Sequence, residues 1–230
     1  MDPAQLGFTS FITHTDAIGK AILVILLAMS VATWYLIITK SLMILSERRR
    51  SAGFLEGFWA EPSIDALESR VEEAHPTEPF SHLAWHAVAA RRKGSDEFLS
   101  RAMRRVIDED TARIESGLTV LASVGSTAPF VGLFGTVWSV YHALVSIGLS
   151  GQGTLDKVAG PVGEALIMTA LGLAVAVPAV LAYNTFVRSN RLVLSKLDAY
   201  AHDLYAVLTT GSSIGAPGTV VPLKPAARGA

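Results

Sequence analysis

Apolar positions in this chain are gathered into three long runs rather than spaced at amphipathic intervals. The first covers 21–39, AILVILLAMSVATWYLIIT, and is bounded by Lys20 and Lys40. At about 1.5 Å per residue it is long enough for a hydrocarbon core of ~30 Å. A signal h-region is shorter and ends in small residues, whereas this run ends in Lys40 and then Glu47-Arg48-Arg49-Arg50, so it predicts a retained span. The second run carries no charge from Ser116 to Leu155 and is apolar over 118–149. The third follows Lys157 and ends at Arg188. Turn material over 148–153 joins the last two, which predicts antiparallel neighbours.

The pattern therefore predicts an all-α polytopic membrane protein. Its expected parts are an outer segment 1–20, spans at 21–39, 118–147 and 159–187, a polar helical domain 40–117, a loop 148–158, a helix 188–211 and a disordered Gly/Pro/Ala-rich tail 212–230. Within the polar domain, Ser63 is placed to cap a helix bearing Ile64, Leu67 and Val71, and Pro76 and Pro79 break the chain after it. Ser95 caps a second helix with Asp96 and Glu97 in its first turn. Leu99, Met103, Ile107, Ile114, Leu118 and Leu121 continue at helical spacing. They predict one unbroken helix from 95 to 147, roughly 80 Å long. After the third span, Leu194, Leu197, Ala201, Leu204 and Leu208 form a coiled-coil-like seam. The expectation is that oligomerisation covers these stripes; packing within one chain is the alternative.

Composition adds direction. Half of the 230 residues are hydrophobic, mean hydropathy is +0.42, and the net charge of -1 offers nucleic acid no attraction. The absence of cysteine excludes disulfides, thiolate metal sites and cysteine nucleophiles. Arginines cluster after the first span (Arg48, Arg49, Arg50), before the second (Arg101, Arg104, Arg105, Arg113) and after the third (Arg188, Arg191), whereas the other side carries only Lys20 and Lys157. By the positive-inside rule the N-terminus is outside, and the middle segment and C-terminus are cytoplasmic.

Lipid supplies no hydrophobic drive between spans, so small residues mark where backbones approach. The third span carries Ala170, Ala174, Pro178 and Ala182 at four-residue spacing, with Gly172 and Ala176 as a second stripe; the second span offers Gly125, Gly132 and Gly135. The first span is mostly Leu, Ile and Val and is expected to face lipid. Pro129 and Pro178 each remove a backbone bond inside a span. Pro161 either opens the third span or interrupts an earlier start near Thr154.

Glu164 is the lone charge between Lys157 and Arg188. A carboxylate in hydrocarbon is costly, so it marks a functional site, unless it sits at the lipid–water boundary. Counted from the cytoplasmic ends, Thr136, Glu164 and Thr169 fall within roughly 8 Å of one depth. A carboxyl in low dielectric exchanges protons near neutral pH, and hydroxyls hold water or hand on a proton. Membrane threonines commonly bond their own backbone, but Thr136 and Thr169 share one depth with the acid, which favours them; Ser126, Thr127 and Asn184 are weaker candidates. His82 and His86, with His75 nearby, have metal-pair spacing but no acidic helix partner, so no metal or cofactor is expected. GLFG and GPVG lack the lysine of a phosphate loop, and no Ser–His–Asp set has a plausible scaffold; an enzyme is not expected.

Two blocks carry a resemblance: Gly125-Ser126 followed by APFVGLFGTVWS (128–139), and GPVGEALIMTALGLAVAVPAVLAYN (160–184). They resemble the ExbB/TolQ/MotA proton-channel family of bacterial inner-membrane motors, and three spans rather than four favour the ExbB/TolQ branch. The second block and AHDLYAVLTTG (201–211) are most similar to ExbB, whereas FLEGFWAEPS (54–63) is similar to TolQ. Ser139 stands where the family usually has glycine. Ala159-Gly160-Pro161-Val162-Gly163 stands for Ala-Pro-Gly-Ile-Ala, which leaves the local helix start open. The resemblance implies a pentamer whose second and third spans line a pore. A dimer of ExbD-like single-span proteins with membrane aspartates would occupy that pore, and a TonB-like protein would dock outside. The family's glutamate maps to Glu164 and its pore threonines to Thr136 and Thr169. A passive structural scaffold is the competing class.

Overall fold

The computed structural model describes residues 16–60, 64–73, 76, 78–150 and 155–210, excepting the side chains of 64, 65, 150 and 155–159. The expected outer segment up to residue 15, the expected cap Ser63, the candidate His75, residues 151–153 of the expected turn and the tail 212–230 lie outside the described residues. The described residues form six helices: α1 Ala17–Trp59, α2 Ile64–Glu73, α3 Pro79–Arg91, α4 Asp96–Glu115, α5 Leu118–Ser150 and α6 Leu155–Thr210. Three spans, in α1, α5 and α6, are long and apolar enough to cross a membrane. Two compact units result. A membrane unit holds the described residues up to Met43 with Glu115–Asn190; a polar unit holds Ile44–Ile114 with the residues from Arg191 onward.

In the membrane unit α5 and α6 run antiparallel. Gly125 meets Val180, Gly132 meets Gly172 and Thr136 meets Thr169, so positions rise on one helix as they fall on the other. Ala128, Met168, Val175, Ala176 and Ala179 form the core with Val124, and α1 adds Ile22 and Leu26. One stripe of α1 is thus on protein, while Val24, Leu27, Val31, Trp34, Tyr35 and Ile38 are exposed. That exposed face suits lipid, as expected of the first span. Pro161 and Pro178 both sit inside α6, which begins at Leu155, so Pro161 does not open the helix.

The unbroken helix expected from 95 to 147 is two helices. α4 stops at Glu115 and α5 starts at Leu118. Gly117 turns the chain with φ 77, in the left-handed region that only glycine enters without strain. A Cβ there would also stand 3.0 Å from Leu36.

The polar unit has its own core. Phe58 at the end of α1, Leu67 and Val71 of α2, Phe80, Leu83 and Ala87 of α3, Leu99, Met103 and Val106 of α4, and Leu197, Tyr200, Leu204 and Leu208 of α6 are all buried together. Phe58 and Phe80 both pack edge-on against Tyr200, at 5.2 and 5.6 Å between ring centres. The seam over 197–208 is therefore covered by this chain's own helices, not by a second copy as expected. α3 was also not anticipated. Pro79, read as a breaker, is its first residue, where the missing N–H costs nothing. Glu78 caps it, accepting from the Phe80 and Ser81 amides at 3.0 and 2.7 Å and from the Ser51 hydroxyl at 2.8 Å.

Candidate functional site

The closest approach of α5 and α6 is made by glycine. A Cβ on Gly132 would lie 2.8 Å from the Met168 carbonyl oxygen, and one on Gly172 would lie 2.7 Å from that of Ala128. Gly135 is tight as well, its absent Cβ being 3.3 Å from Met168 and 3.4 Å from Ile22. This contact sets what happens one turn further along α5.

There, the hydroxyls of Thr136 and Thr169 hydrogen-bond to each other. Thr136 Oγ1 also lies 2.9 Å from the Ala165 carbonyl oxygen and 3.2 Å from that of Gly132 in its own helix. A hydroxyl has one proton and two lone pairs. Thr136 can donate to the Ala165 carbonyl while accepting from Thr169, or donate to Thr169 itself; switching between these states turns the O–H bonds and leaves each proton on its own oxygen, without moving a backbone. Both threonines are half-buried. Glu164 is half-buried too and precedes Ala165 directly. The structure thus unites Thr136 and Thr169 side chain to side chain, and their third partner is the backbone carbonyl of Ala165, the residue after Glu164. The other small and bent positions flank this point: Pro129 and Pro178 lie inside α5 and α6, and Ala176 is buried between the spans.

Ser126 and Thr127 both turn back to the Ser123 carbonyl, at 3.1 and 2.7 Å, and Asn184 is exposed. His82 does find an acid: Asp110 of α4, 3.0 Å away and buried. The partner comes from another helix, which spacing along α3 could not reveal. Among the described residues no group of three or more His, Cys, Asp or Glu could hold a metal.

Two polar residues of α1 are buried: Lys40, read from the sequence only as the end of the first run, and Thr33, not singled out from the sequence. Lys40 is only 7% exposed and donates to the Ser116 hydroxyl at 3.3 Å. Thr33 is 1% exposed, and its hydroxyl has no hydrogen-bond partner among the described residues. The signal was available: Ile22, Leu26, Met29, Thr33, Leu36 and Lys40 follow at alternating spacings of four and three, one face of a helix.

Three spans, two of them held together by glycine contact with a pair of hydrogen-bonded hydroxyls beside it, define a polytopic helical membrane protein. Comparison makes the assignment specific. Residues 71–199 match the model of the MotA/TolQ/ExbB proton channel family. The chain is 40% identical over 232 residues to the biopolymer transport protein ExbB of Xanthomonas campestris pv. campestris, covering 92% of each chain. It is 38% identical over 206 residues to ExbB of Neisseria meningitidis, covering 84% of this chain and 93% of that one. Similarity to the Tol-Pal system protein TolQ of Pseudomonas aeruginosa is 31% over 228 residues, or 90% and 96% of the two chains. The chain belongs to the MotA/TolQ/ExbB proton channel family, a multi-pass inner-membrane subunit and not an enzyme.

Proposed function

We propose that this chain is the ExbB-like subunit of a motor driven by the proton-motive force, with its N-terminus periplasmic and its C-terminus cytoplasmic. In this reading five copies surround a pore lined by α5 and α6, and an ExbD-like dimer of single-span chains occupies it. A TonB-like protein docks outside the ring, and proton flow energises outer-membrane import of iron chelates or vitamin cofactors. The observation that carries the reading is the Thr136–Thr169 pair on the carbonyl of Ala165, the residue after Glu164, within the matched segment. Glu164, Thr136 and Thr169 shape the polar path, while the carboxyl that is cyclically protonated is the partner's. Gly132, Gly135, Gly172, Ala176, Pro129 and Pro178 set the helix contact that holds the path in shape.

The test is Glu164→Ala and Glu164→Gln in a host lacking its own copy, read as growth on an iron chelate and as oligomer recovered after cross-linking. Lost growth with the oligomer intact supports the motor. Retained growth refutes it, and a lost oligomer with transport otherwise normal supports a passive scaffold. The TolQ-like role in envelope integrity and constriction is the second reading, favoured by the 31% identity to TolQ over nine-tenths of the chain. Detergent sensitivity of a deletion strain, without an iron defect, would select it.

A further inference from the structure

α5 is held from two sides. On one, Thr136 engages α6. On the other, Asp16, the residue preceding α1, uses its two carboxylate oxygens separately: Oδ1 accepts from the Gly19 amide at 2.8 Å and caps α1, and Oδ2 accepts from the Trp138 indole N–H at 2.6 Å. Burial pushes the Asp16 carboxyl up, but the Trp138 indole, the Gly19 amide, His142 and Lys20 together outweigh it and hold it below its usual 3.8. An ionised acceptor makes the short indole bond a charge-assisted one. The Trp138 ring is further braced by His142, 4.8 Å between ring centres.

Thr136 and Trp138 are two positions apart, so they leave α5 about 200° apart, on nearly opposite sides. A helix gripped on opposite sides cannot turn about its own axis. Turning α5 would carry Thr136 off both Thr169 and the Ala165 carbonyl, and a clasp two residues away resists that motion with the shortest possible lever.

We propose that Asp16 and Trp138 are positioning residues for the proton path: their hydrogen bond locks the rotation of α5 that keeps Thr136 on Thr169. The proposal rests on the reading of the two threonines as part of that path.

The chain has no cysteine, so a cysteine placed at Leu133 or at Phe134, both exposed on α5 and about 100° apart around it, reports the helix's rotation by maleimide labelling in native membranes. Trp138→Phe keeps an aromatic ring but loses the N–H and the five-membered ring that carries it; Asp16→Ala loses the acceptor; Asp16→Glu keeps both acceptor oxygens and the charge. Loss of a charge-assisted bond is expected to shift the 133:134 labelling ratio and to lower chelate uptake about fivefold in Trp138→Phe and in Asp16→Ala, with Asp16→Glu restoring most of both. The double variant is expected to be no worse than the poorer single one, since both remove the same bond. An unchanged labelling ratio, single effects that multiply, or Asp16→Glu as defective as Asp16→Ala would each overturn the proposal. Thr136→Val separates the two readings. If it transports normally, the threonine path fails, while the labelling ratio still decides the clasp. Should Asp16→Ala not accumulate in the membrane, Trp138→Phe carries the test.

Discussion

Gly132 and Gly172 face each other across α5 and α6 so closely that a methyl group on either would lie 3.0 Å from the Cα of the other. With no side chain between them, the two backbones form the contact. The hydroxyls one turn away are brought into bonding distance by that approach rather than by any attraction of their own. Dispersion and close fit, not hydrophobic drive, hold such helices together in lipid.

Gly172→Ala should force the helices apart, because its methyl would meet a backbone oxygen, that of Ala128, at 2.7 Å and a backbone cannot swing aside. Overpacking of this kind costs about 1–3 kcal/mol. The expected outcome is a lower melting temperature of the detergent-solubilised protein together with lost transport. Gly148→Ala, where a Cβ meets nothing within 4 Å, is the control and should melt as the parent does.

Thr136→Val keeps the shape of the side chain and removes the hydroxyl bonded to Ala165. Hydrogen bonds between membrane helices are worth about 0.6 kcal/mol on average. Stability should therefore change little while transport is abolished, and Thr136→Ser, which retains the oxygen, should transport. A uniform loss of stability and transport in both would assign Thr136 to packing alone.

Gly117→Ala places a side chain in the left-handed region, at a cost of about 1–2 kcal/mol, and against Leu36 besides. Gly117→Asn should lose less, since asparagine tolerates this backbone. Adding Leu36→Ala to Gly117→Ala should relieve the contact but not the backbone cost. Thermal unfolding of the four proteins, parent included, measures each part.

Burial, with His82 beside it, holds the His86 imidazole below its usual 6.5, against the opposing pull of Glu109 and Asp110 of α4. Arg105 of α4 acts with His82 and burial. The folded protein thus binds a proton at His86 less readily than the unfolded chain. Stability rises with pH wherever the unfolded state binds more protons. It should accordingly fall as pH drops below about 6.5, until the folded-state value is passed, and His86→Gln should flatten that fall. Melting temperatures taken between neutral pH and pH 5 test the sign.

The spans were legible because run length alone distinguishes a membrane helix from a core helix, and Thr136 and Thr169 could be levelled by counting along rigid rods. The break at Gly117 was not, because Ile114, Leu118 and Leu121 keep helical spacing straight across it. Leu197, Leu204 and Leu208 announced a covered stripe, but periodicity says that a face is buried, never by what. α3 was hidden by Glu78 and Pro79, a glutamate cap being unusual and a proline equally suited to ending or starting a helix. Asp16 and Trp138 share no period at all. Only the fold brings them together.

The buried core of the polar unit draws on Leu67, Leu83 and Leu99 from before the second and third spans and on Leu197, Tyr200, Leu204 and Leu208 from after them. A ribosome delivers these groups in that order. The early helices therefore emerge with a bare oily face and must wait, through the making of two membrane crossings, for the strip that closes it. A chain cut short anywhere before that strip would leave the face permanently open.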